Sequence, residues 1–198
     1  PSDRQWSRQL ENFERRFDNK PEFVKSVSRG LVNLNILIAL CSTFDSLLAL
    51  ISKENSEEEV MLCKYLMDCW ELEKPMTPTL YNITQKLNMY VRDVNVSVNK
   101  GDMTTDLPKC FMYDFYDIVG LGIDAFEQVF KNDTFFQSRD FRWALCFDEL
   151  EVAPKWFFEE LIQKCLRSRN QKILLKMTST PDSGVNINSI EKKTPSKK

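Results

Sequence analysis

Residues 141–147 read Phe-Arg-Trp-Ala-Leu-Cys-Phe, apolar apart from Arg142, and the next two residues are Asp148 and Glu149. A continuous apolar run of this kind is the pattern of a strand buried on both faces. After it, residues 154–169 carry Trp156, Phe157, Leu161, Ile162, Cys165 and Leu166 at helical spacing. Residues 172–179, Lys-Ile-Leu-Leu-Lys-Met-Thr-Ser, read as a second buried strand. Strand, helix and strand make a βαβ unit, so the two strands are expected to lie parallel with a right-handed crossover. The fold class expected from this is α/β and helix-rich, with strands near 141–148 and 172–179.

The rest of the chain reads mostly as helix. Residues 5–18 are charged with scattered aromatics, as on a surface helix, and Pro21 suits the first turn of the next one. From 22 to 53 the apolar residues Phe23, Val27, Leu31, Leu34, Ile38 and Cys41 keep helical spacing, with Gly30 the candidate for a break. Asn55-Ser56 followed by Glu57, Glu58 and Glu59 looks like a cap and a first turn rich in carboxylates. A short helix is expected over 79–90. The alternation Val94-Asn95-Val96-Ser97-Val98-Asn99 instead suggests a half-buried strand. Residues 113–131 read as one more helix, weakened in its middle by Gly120 and Gly122.

Composition removes several kinds of chemistry. The chain has 198 residues and no histidine, which excludes His-based nucleophilic dyads and triads, a histidine general base and any His-containing zinc site. Acid–base work would fall to carboxylates, lysines, tyrosines or thiols. A net charge of −2 argues against a basic nucleic-acid module. The six cysteines include no C-x-x-C pair, and most sit in apolar runs, so they are expected to be buried and free. That points to a reducing cytoplasm. The apolar stretch 31–51 is interrupted by Asn33, Asn35, Ser42, Thr43, Asp45 and Ser46, and reads as a buried helix rather than a membrane span.

In open α/β sheets ligands bind at the carboxyl ends of the strands, which here carry Asp148-Glu149 and Thr178-Ser179. In a P-loop ATPase an aspartate there binds the magnesium–water shell, and the adjacent glutamate orients the attacking water. A hydroxyl on the neighbouring strand can touch the γ-phosphate or that water. An aspartate ahead of a helix is also an ordinary N-cap. Residues 142–156, Arg-Trp-Ala-Leu-Cys-Phe-Asp-Glu-Leu-Glu-Val-Ala-Pro-Lys-Trp, resemble the Walker B region of bacterial AAA-type ATPases of the origin-recognition-complex-like group. Residues 172–181 are similar to the sensor-1 strand of the same proteins.

The resemblance implies Asp148 as the metal residue, with Glu149 catalytic and Thr178 or Ser179 as sensor 1. It also implies ATP and Mg2+, AAA-type self-assembly, and a DNA or protein partner. The corresponding organisation is a helical region over 1–90, a partial P-loop NTPase core over 91–181, and a flexible basic tail over 182–198. No G-x-x-x-x-G-K-[ST] occurs in the sequence, so no residue is assigned to hold the phosphates. A piece with this half of the site alone is expected to bind nucleotide poorly and to hydrolyse little; the phosphate loop would belong upstream of Pro1. Arg167 and Arg169 are candidates for arginine fingers, or else complement the dipole of the crossover helix at its end. The competing reading is a non-catalytic, mostly helical interaction module in which Asp148 and Glu149 only cap a helix.

Overall fold

The computed structural model describes residues 15–17, 20–54, 56–73, 77–101, 112–138, 142–147, 156, 157, 159, 163 and 173–178. The chain divides into two compact units, Phe13–Phe141 and a second one formed by Pro1–Asn12 with Arg142–Lys198.

The first unit is helical. Its elements are α1 (Pro21–Leu50), α2 (Glu57–Cys69), α3 (Leu80–Lys100), α4 (Phe115–Phe130) and a single turn, α5 (Thr134–Gln137). The main contacts close in a ring, with α1 on α3 and α4, and α2 on α4 and α3. Pro21 opens α1, where its missing N–H costs nothing. The helix runs through Gly30 without a break, and Gly30 is buried. Among the described residues α1 is the one helix long and apolar enough to cross a membrane, with a mean hydropathy of 1.7 over its most apolar window. Its packing accounts for that apolarity. Leu34, Leu37, Cys41, Phe44 and Leu48 are completely buried, while Ser42, Thr43, Asp45 and Ser46 face outward. The outward hydroxyls of Ser42, Thr43 and Ser46 bond back to carbonyls one turn earlier, at 3.1, 2.9 and 2.9 Å.

The caps at the helix starts are those expected of their residue types. Ser56 accepts from the Glu59 N–H, Thr79 from Asn82 and Asp114 from Tyr116. Glu59 does more than enrich a first turn in acid. It is buried, and its Oε1 accepts the Leu80 N–H at 3.1 Å, so a carboxylate on α2 holds the start of α3. A negative charge at a helix N-terminus is favourably placed. Glu59→Ala is expected to leave that buried donor unpaired and to cost about 1–3 kcal/mol in urea denaturation. Glu59→Gln keeps an acceptor oxygen and should cost less; equal losses for the two would show that the bond contributes nothing.

The strand expected over 94–99 is absent: α3 continues through it to Lys100. The valines fit a helix because Val94 and Val98, one turn apart, are 2% and 3% exposed and extend the buried row of Ile83 and Leu87. Val96, which a strand would have placed with them, is 42% exposed. Helix end chemistry adds to this. Gly101 takes the left-handed conformation at φ 72° and donates to Ser97 and Val98, while the Arg16 guanidinium donates to the Val98 and Asn99 carbonyls. Packing and capping together outweigh the few tenths of a kcal/mol that each valine costs a helix.

The middle of the unit is closed by aromatics. Trp70 is completely buried and its indole N–H donates to the Ile118 carbonyl at 3.1 Å. Phe44 stacks on Phe126, with ring centres 4.7 Å apart, and Phe126 meets Phe130 at 4.7 Å and Phe136 at 5.4 Å.

Among the described cysteines, Cys41 and Cys63 are buried as expected, and Cys69 is half-buried. Burial pushes both buried thiols from 9.0 up to about 12; the Thr84 hydroxyl pulls Cys41 the other way, and Glu59 adds to the rise at Cys63. Between pH 9 and 12 the unfolded thiols lose protons that the folded ones keep. Their contribution to stability is therefore complete below pH 9 and declines as pH rises through that window. Replacing both by alanine should flatten the fall in stability between pH 8.5 and 10.5, read by denaturant titration. An unchanged slope would count against buried, neutral thiols.

The second unit holds a two-stranded parallel sheet, β1 (Trp143–Phe147) beside β2 (Ile173–Met177). Both strands lie where the apolar runs placed them, and they run in the expected direction. Trp156, Phe157, Glu159 and Gln163, from the segment between them, are helical.

Candidate functional site

The two strands pair in register from Trp143 opposite Ile173 to Phe147 opposite Met177. One further bond extends the ladder beyond β2: the Thr178 N–H donates to the Phe147 carbonyl at 2.9 Å. The main chain of Thr178 is thus fastened to the last residue of β1, and Asp148 is the next residue in sequence. Thr178 is exposed. Asp148, Glu149 and Ser179 lie outside the described residues, as do Arg167 and Arg169.

Side chains alternate across the sheet. Trp143, Leu145 and Phe147 are half-buried, while Ala144 and Cys146 are exposed. The covered face meets Phe157, one of the helical residues between the strands: the Phe147 and Phe157 rings stand 5.8 Å apart edge to face and Phe157 is buried. Trp156 lies edge-on to Phe157 at 5.9 Å. On the opposite face Ala144 and Cys146 are in register with Leu174 and Lys176, which are exposed too. This corrects three expectations. The strand at 143–147 is not buried on both faces, the strand at 173–177 is exposed at Leu174, Lys176 and Met177, and Cys146 is not a buried thiol. Successive side chains of a strand point to opposite faces, and only one of these faces carries a packed helix among the described residues.

Among the described residues no group of three cysteine, aspartate or glutamate side chains is arranged to hold a metal ion. The strongly perturbed thiols, Cys41 and Cys63, belong to the helical core and are inert there. The shifted surface groups pair with each other. Lys53 and Glu58 share a hydrogen bond that raises the lysine and lowers the glutamate, and Lys86 and Glu73 do the same. These are contacts joining neighbouring segments of the helical unit, not poised acids or bases.

A family model described as ORC-CDC6-like matches residues 1–183. The chain belongs to the ORC-CDC6-like family. The match supports a relationship to origin-recognition-complex-like AAA-type ATPases, and it takes in the helical unit as well as both strands. No curated protein and no solved structure matches the chain. The Walker-B-like and sensor-1-like runs, about 25 residues in all, carried the resemblance in the sequence. The helices of this ORC-CDC6-like chain have ordinary amphipathic patterns, so the family relation over residues 13–141 was far less legible in them.

Proposed function

We propose that the second unit is half of an AAA-type ATPase site, with the Walker B and sensor-1 strands of a P-loop core side by side. The observation that carries this reading is the parallel register continued by the Thr178–Phe147 bond. That pairing brings the residue after one apolar strand next to the end of the other, the arrangement a nucleotide site of this class requires. Asp148 would hold Mg2+ through its water shell, and Glu149 would take the proton of the attacking water. Thr178, exposed at the strand end, or Ser179 would contact the γ-phosphate or the attacking water. The donor set fits a hard cation, since two adjacent carboxylates and a hydroxyl offer only oxygen. Bound Mg2+ would offset the charge of the phosphates. No part of this sequence supplies the backbone cradle of a phosphate loop, so the piece alone would bind ATP weakly. Self-assembly of the AAA type, a DNA or protein partner, and a cytoplasmic, membrane-free location complete the reading.

The test turns on Asp148→Asn in the protein as the cell makes it. Asparagine caps a helix as well as aspartate does, so a capping residue should tolerate the change. A metal residue should not, because the amide lacks the charge that a divalent cation selects. Expected is a loss of Mg2+-dependent ATP binding and turnover of tenfold or more, with the unfolding temperature unchanged. Full retention of Mg2+-dependent turnover would favour the second reading, an interaction module with a capped helix.

A further inference from the structure

We draw no further inference here: the strongest candidate, the exposed face of the two-stranded sheet formed by Ala144, Cys146, Leu174 and Lys176, carries nothing because nothing in the structure shows what covers it.

Discussion

Gly122→Val should destabilise the helical unit by about 3 kcal/mol or more, a large part of the stability of a typical domain. A Cβ at Gly122 would stand 2.8 Å from Leu40 Cδ2 and 2.8 Å from Trp70 Cζ2. Leucine has a flexible end and can yield. The indole cannot swing aside as easily, because it is completely buried and its N–H is bonded to the Ile118 carbonyl on the same helix as Gly122. Valine adds two methyl groups beyond that clash. Gly122→Ala adds none, yet the gain in helix propensity, about 1 kcal/mol, should be outweighed by overpacking of about 1–3 kcal/mol. Gly120 gives the opposite sign: a Cβ there meets nothing within 4 Å. Gly120→Ala should therefore stabilise the unit by about 0.5–1 kcal/mol. Urea denaturation of the three variants provides the check. If the two alanine variants shift stability in the same direction, the close approach of α1, α2 and α4 around Gly122 is not what holds that glycine in place.

This pair of glycines shows what patterning conveys and what it leaves out. Both were legible as weak points in a helix, since glycine lacks a side chain to restrict the unfolded chain. That one of them is a contact point depends on Leu40 of α1 and on Trp70 just past the end of α2, and no local pattern encodes such a meeting. The same limit explains the valines of α3. Alternation over six residues fits a strand as well as it fits a helix whose buried row happens to include Val94 and Val98, and the choice was made by packing on α1. Glu59 is a third case. Three consecutive glutamates announce a helix start, but only the fold shows that one of them reaches across to the Leu80 N–H.

The strands were easier to place because two apolar runs joined by a helical pattern make a βαβ unit, which sets their direction and pairing together. Phe147 and Thr178 were expected at neighbouring strand ends, and their main chains are bonded there. Burial on both faces was not obtained, because that depends on layers of structure that a run of seven residues does not specify. Asp148 and Glu149 were singled out by their place after an apolar strand and by the lack of histidine for the same work, and they lie outside the described residues.

Glu149→Gln should lower ATP turnover by about 10²–10⁴-fold, the usual contribution of a positioned general base, while nucleotide affinity stays close to that of the parent protein. The amide keeps the size and much of the hydrogen-bonding reach of the carboxylate, but it cannot accept a proton at neutral pH. Loss of turnover with retained binding would therefore isolate proton transfer from metal and phosphate contacts, which Asp148→Asn perturbs instead. Glu151→Gln, two residues on, serves as the control, since no role is assigned to it, and its turnover should match the parent. Equal turnover in all three proteins would remove Glu149 from the chemistry. A loss with Glu149→Gln that came with an equal loss of binding would move it from base to ligand. The measurement needs ATP held well above its dissociation constant and the protein as the cell makes it, because no G-x-x-x-x-G-K-[ST] run occurs in these 198 residues.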